Sequence, residues 1–165
     1  MFKKLNHESV LYNSLVLISR KIYFYKEVGL NDTFETRIFL MFFHYSIILK
    51  IYKKKKDKSK QSDFDNFFFQ IENHLRESGL GDVSVNKKMK DLTKYFYDIL
   101  LKLNDKNGEF LPSREILKKY FFKNDSNTEK INDLQSYFVS FYNFCFDIDT
   151  KNMINNLKDF NYGSS

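Results

Sequence analysis

The sequence predicts an all-α fold, a single compact domain of about six to seven helices. Two observations carry that expectation. One proline and five glycines in 165 residues leave long stretches without a helix breaker. Along those stretches apolar residues recur every three or four positions, the period of a helix that buries one face. The length suits one domain and is short for two. The helical domain is expected over residues 1–150, with a short C-terminal helix and frayed tail over 151–165.

The first helix is expected over residues 8–27. It is apolar on most faces through Val10, Leu11, Leu15, Leu17, Ile18, Ile22 and Phe24, and Gly29 ends it. Asp32 then opens the sequence DTFE, with Glu35 three residues later. That is the spacing of a capping box, so Asp32 is expected to accept a first-turn amide hydrogen bond. The second helix continues to Tyr52. Its stretch IFLMFFHYSIIL is apolar nearly all round, which marks a helix wrapped by others. The stretch is well short of the ~20 residues a membrane span needs, so a buried central helix is expected. The lysines of KKKKDKSK follow and solvate the C-terminal end, where cations suit the helix dipole.

The third helix is expected from Asp63 to Ser78, with Phe64, Phe67, Phe68, Ile71 and Leu75 on one face. Gly79 supplies the left-handed residue after its end. Ser84 is the expected N-cap of the fourth helix. There Val85, Met89, Leu92, Phe96, Ile99 and Leu103 step by 4, 3, 4, 3 and 4, an amphipathic stripe. Residues 104–112 read as a linker. Ser113 caps a short helix to Phe122, the sequence NDSN breaks the chain, and Thr128 opens another helix. In it Ile131, Leu134, Phe138, Phe141 and Cys145 step by 3, 4, 3 and 4. A last short helix follows Asp149, and the final NYGSS is expected to fray.

A content of 42% hydrophobic and 29% charged residues describes a globular chain and not a disordered one. There is no alanine and no tryptophan, yet 19 phenylalanines and 11 tyrosines. We read this as the codon bias of an AT-rich genome. Large rings still fill a core with few residues. The single cysteine excludes a disulfide framework and a multi-cysteine metal site. Its place on an apolar stripe makes Cys145 a buried structural thiol rather than a nucleophile. The first residues lack the apolar core and cleavage site of a secretory signal, so a protein that is cytoplasmic, or peripheral on a membrane, is expected.

Catalytic and cofactor motifs do not emerge. In HLRESGLGD, Gly79 and Gly81 lack the third glycine of a dinucleotide loop and the Gly-Lys-Ser/Thr of a P-loop. They also follow a helix, where both motifs need a strand. His7, His44 and His74 form neither HxxxH nor HExxH. His44, on the most apolar helix, reads as a core histidine with one hydrogen-bond partner. Glu72, His74, Arg76 and Glu77 lie on one helix, where charges usually solvate a face. No enzyme activity and no cofactor are expected.

The net charge is +6, and the run containing Lys53, Lys54, Lys55, Lys56, Lys58 and Lys60 with one aspartate accounts for most of it. The remainder is close to neutral, which argues against DNA binding over the whole surface. The run reads as a solvated loop, as a contact for RNA backbone or as a contact for an anionic membrane. It has no pattern for sequence-specific readout.

Two stretches resemble the ubiquinol–cytochrome c chaperone family. The first is HLRESGLGDVSVNKKMKDLTKYFY, through Leu75, Arg76, Glu77, Gly79, Gly81, Asp82, Val85, Lys87, Lys88, Met89, Lys90, Phe96 and Tyr97. The second is FYKEVGLNDTFETRIFLMFFH, through Tyr25, Gly29, Asp32, Thr33, Arg37 and His44. The match covers residues 12–103. Asn86 stands where the family often has proline, which only loosens the start of the fourth helix. The resemblance implies a helical, non-enzymatic assembly factor for ubiquinol–cytochrome c reductase, respiratory complex III. Its implied client is newly made cytochrome b, with the ribosome as a further partner and a peripheral position at the bacterial inner membrane. The implied client site is an apolar groove between aromatic-rich helices, signalled by exposed aromatic rings. Arg37, His44, Arg76, Glu77, Asp82, Lys87 and Lys88 are the candidate partner-binding residues. Each also has a structural reading: Arg37 and Glu77 as a pair across helices, Asp82 as a cap of the turn. A small RNA- or ribosome-binding module carried by the lysine run remains the competing function.

Overall fold

A helix that is apolar around its whole circumference has to sit inside the others, and Phe34–Lys54 does. The computed structural model describes residues 9–103, 105–106 by backbone alone, 109–123 and 127–163. His7, the expected start at residue 8, parts of the linker and of the NDSN sequence, and the last two serines lie outside them. Seven α-helices are present among the described residues: α1 (Val10–Ser19), α2 (Phe34–Lys54), α3 (Gln61–Glu77), α4 (Asp82–Lys102), α5 (Arg114–Phe121), α6 (Thr128–Phe146) and α7 (Thr150–Met153). α2 is the axis, touched by α1, α4, α5 and α6. α3 packs on α1 and α4, and a 3-10 segment (Ile154–Asp159) returns to α1.

Residues 38–48 of α2 are all buried, including His44 and Ser46. The rings fill two sides of that axis. Phe42 meets Phe67, Phe68 and Phe96 on the α3–α4 side. Phe43 meets Tyr120, Phe121 and Phe138 on the α5–α6 side. Burying one such ring is worth about 2–3 kcal/mol, so a few rings replace many smaller side chains.

The first helix is not continuous. At Arg20 its ladder tightens to three-residue hydrogen bonds, then opens into a π-helical turn (Tyr23–Glu27) closed by Val28 N–H to Tyr23 O at 3.1 Å. A continuous helix would bury Ile22 beneath Ile18. The break instead leaves Ile22 64% exposed and turns Phe24 and Val28 into the core.

Two caps also differ from expectation. Thr33, not Asp32, caps α2, its hydroxyl accepting from the Thr36 amide at 3.2 Å. The chain enters the helix one residue later, and Arg37 takes the Asp32 carboxylate. α4 starts at Asp82 behind Gly81, so Ser84 lies inside its first turn.

The described part of the linker is structured. Asp105–Lys106 pairs antiparallel with Glu109–Phe110, and Phe110 stacks on Tyr142 with centroids 4.5 Å apart. The C-terminal segment packs as well. Met153, Leu157 and Phe160 are buried, and Tyr162 sets its ring edge-on to Tyr23 and Tyr137.

Candidate functional site

α3 ends at Glu77, and Gly79 at φ +96° reverses the chain into α4. A side chain is strained at that φ and glycine is not. The reversal makes α3 and α4 antiparallel neighbours, so the end of α3 and the start of α4 share one pole of the bundle. α2 begins at the same pole. Phe34 stacks on His74 with centroids 5.1 Å apart and planes 3° from parallel. Glu35 pairs with Lys88 at 3.5 Å.

The charged residues of the pole are joined in short links. Arg76 bridges the reversal: it pairs with Asp82 and, at 3.2 Å, with Glu72 one turn back. Arg37 pairs with Asp32 at 2.6 Å. That hydrogen bond is the main reason its guanidinium pKa is raised, and Tyr25 adds to it. Arg37 therefore serves its own helix start, and the cross-helix pair with Glu77 does not form. Glu77 is exposed and lies near Tyr12, whose hydroxyl pKa is raised by burial first, with a smaller part from Glu77. Lys87 is exposed, and Leu80 beside the reversal is 41% exposed.

Six of the seven candidate residues thus gather at one pole. The seventh does not. His44 is 0% exposed, so it meets no partner while the domain is folded this way. It makes two hydrogen bonds, not one. Nδ1 donates to Leu40 O at 2.6 Å, because a carbonyl only accepts, and Nε2 then accepts from the Tyr137 hydroxyl at 2.7 Å. Phe24, Phe138 and Phe141 set their rings around it. Burial lowers its pKa to about 4, with Lys21 adding to the drop and the Leu40 bond opposing it, so it is neutral at pH 7. Cys145 is likewise buried, its thiol pushed up to about 12 by desolvation.

The lysine run is only partly a solvated loop. Lys55 donates to Phe146 O at 2.5 Å and Ile148 O at 2.8 Å, and its ammonium sits 4.7 Å from the Phe146 ring. Asp57 accepts from Thr150. Tyr52 is 9% exposed and donates to Thr150 O, which removes it as an RNA-stacking ring. Lys53, Lys56, Lys58 and Lys60 remain exposed.

Rings fill the space between α2 and its neighbours, and an open apolar depression runs along α4 past Met89, Thr93 and Tyr97. A hollow of about 440 Å³ between the 28–36 segment and the end of α5 is walled by Asn31, Thr33, Glu35 and Thr36 as well as Phe39 and Tyr120. One of about 570 Å³ carries Asp57, Lys58, Asp63, Asn66 and Thr150. Exposed apolar side chains lie instead on helix exteriors, among them Leu17 and Ile22 near α1 and Val83, Tyr97 and Leu101 on α4. Among the described residues, no group of His, Cys, Asp and Glu could hold a metal ion, and no helix is long and apolar enough to cross a membrane.

Sequence reasoning missed Phe34, Asp32 as the partner of Arg37, and the Asp98 hub, where Lys102, Lys119 and Tyr120 converge on one carboxylate. Only the i, i+4 spacing of Asp98 and Lys102 was visible in the sequence. Residues 26–157 match the family model described as Ubiquinol-cytochrome C chaperone. No curated protein and no solved structure matches the chain.

Proposed function

Because the chain belongs to the ubiquinol–cytochrome c chaperone family, we propose that it assists assembly of ubiquinol–cytochrome c reductase by holding newly made cytochrome b at the pole where α2, α3 and α4 meet. The observation that carries this reading is convergence. The two stretches that resemble the family are separated in sequence, and Phe34–His74 and Glu35–Lys88 bring them to one surface. A packing role alone would not require so many charged side chains at the exposed rim. There the exposed Leu80 lies in the reversal between Arg76 and Glu77 at the end of α3 and Asp82 and Lys87 at the start of α4. An apolar anchor with a polar rim is the pattern of a protein contact. Family membership supports a binding role rather than a catalytic one. The expected setting is the cytoplasmic face of a bacterial inner membrane.

The test is affinity capture of the tagged protein from its own cells after crosslinking during translation, read by mass spectrometry. Cytochrome b is expected among the captured proteins. Arg76→Glu reverses an exposed charge, so it is expected to lose cytochrome b while the circular dichroism spectrum stays that of the wild type. A melted spectrum would make Arg76 structural.

A second reading rests on the exposed Lys53, Lys56, Lys58 and Lys60. It is contact with ribosomal RNA, which predicts binding that falls steeply with salt and is lost when those lysines are neutralised. Capture of ribosomal proteins without cytochrome b would favour it.

A further inference from the structure

The buried stripe of α4 has a counterpart on the opposite side of the helix. Val83, Lys87, Lys90, Lys94, Tyr97 and Leu101 also step by 4, 3, 4, 3 and 4, and all six are exposed. Val83 is 84% exposed, Leu101 72% and Tyr97 44%. The stripe holds three cations and no acid. Among the described residues Lys87, Lys90 and Lys94 form no ion pair; Asp82 is engaged with Arg76 and Asp98 with Lys102 and Lys119, while the half-buried Asp91 lies on the flank of the row, about 80° round the helix. From Val83 to Leu101 the row is about 27 Å long at the helical rise. We infer that this outward face of α4 is a docking surface for an anionic lipid bilayer.

The order of residues along the row selects the partner. A protein interface places its apolar anchors at the centre and its charges at the rim. Here the lysines hold the middle and the apolar side chains the two ends, and an open depression of about 600 Å³ runs along Asn86, Met89, Lys90, Thr93, Lys94 and Tyr97 with no enclosed pocket for an anchor. A bilayer surface is uniform in its plane, so it accepts this order without a matching pocket. Lysine stems lie along apolar surface with their ammonium groups at headgroup level. Tyrosine suits the same interface. Valine and leucine reach below it as in interfacial helices. The proposal deepens the membrane setting of the chaperone reading by naming the face that meets the lipid, and that face is distinct from the lysine run.

Sedimentation of the full chain with vesicles tests it, using phosphatidylcholine alone and phosphatidylcholine mixed with phosphatidylglycerol. Binding is expected only to the mixed vesicles and is expected to weaken with salt. Each lysine contributes about fivefold in partitioning, so Lys90→Glu with Lys94→Glu lowers it by at least about 25-fold. Val83→Ser with Leu101→Ser keeps the charge and also lowers binding. Lys87, which also borders the client site, is left intact in both double variants, so loss of vesicle binding in them is independent of that site. Equal binding to both vesicle types would overturn the proposal. So would retention by both double variants, or loss only when Lys56, Lys58 and Lys60 are reversed. A photo-crosslinker at position 94 that labels a protein in cells, with no vesicle binding, would reassign the face to a protein partner.

Discussion

Phe34, the first residue of α2, lies flat on His74 in the last turn of α3, 5.1 Å between centroids. This stack locks together two helix ends that carry different parts of the family pattern. Neither residue is needed to form its own helix, so the pair can be dissected without melting either one. In a double-mutant cycle of Phe34→Ala and His74→Ala, urea unfolding is expected to give a coupling of about 0.5–1 kcal/mol, the worth of an aromatic pair beyond its burial. A coupling of zero would mean that the stack does not help to hold α2 at the pole.

That stack also shows what the sequence could and could not reveal. The helices were legible because the α4 and α6 stripes repeat at helical spacing over many turns, and local order is what periodicity reports. The family pattern placed Arg37, Arg76, Asp82 and Lys88, but not how they pair. Arg37 chose Asp32 over Glu77, a choice settled by how the 28–33 segment enters α2. The break at Arg20 was invisible because the apolar pattern continues through it. Only the fold decides that Phe24 and not Ile22 meets the core. The short helix after Asp149 was legible, but it is too short for a period to show which face is buried, and Met153, Leu157 and Phe160 each fill core space. His44 was legible as a core residue, and its second partner, Tyr137, lies on another helix.

The two glycines of the reversal are expected to respond to substitution with opposite signs. A Cβ at either position meets open space, so backbone conformation decides. Gly79 is at φ +96°, and Gly79→Ala is expected to destabilise by about 1 kcal/mol. Gly81 is the N-cap of α4 at φ −73° and ψ 165°, with no side chain to cap the helix. Gly81→Ser supplies a hydroxyl for a first-turn amide and is expected to stabilise by roughly 0.3 kcal/mol. Thermal or urea unfolding of the two variants measures both signs. The same sign for both would contradict the assignment.

Lys55 is expected to behave unlike its neighbours in the lysine run. Its ammonium bonds two carbonyls at the C-terminal end of α6, Phe146 O and Ile148 O, where a cation also meets the negative end of the helix dipole. Lys55→Met keeps the stem and removes the charge. It is expected to cost about 1–2 kcal/mol in urea unfolding, the worth of charge-assisted hydrogen bonds. Lys56→Met and Lys58→Met, at exposed positions, are expected to stay within about 0.5 kcal/mol of wild type. Equal effects across the three would show that the α6 contact contributes nothing.

The buried His44 sets an acid limit on the fold. Its pKa is about 4 in the folded protein, against about 6.5 when unfolded. Above pH 6.5 it is neutral in both states and its contribution is complete. Between 6.5 and 4 the unfolded chain takes up a proton that the folded protein refuses. Stability therefore falls as pH falls, by about 3 kcal/mol across the window, and the slope flattens below pH 4. Asp98 acts lower down. Burial raises its pKa, but hydrogen bonds from Lys102, Lys119 and Tyr120 outweigh that and hold the carboxyl below its usual range, so its loss begins only below about pH 4. Urea unfolding from pH 7.5 to 4 is expected to show the His44 slope in the wild type and not in His44→Leu. At pH 7 that variant is expected to lose about 1–3 kcal/mol, because it strands the Tyr137 hydroxyl. Adding Tyr137→Phe removes the stranded group and is expected to recover most of the loss. If His44→Leu keeps the wild-type slope between pH 6.5 and 4, some other group titrates there and the histidine is not the sensor.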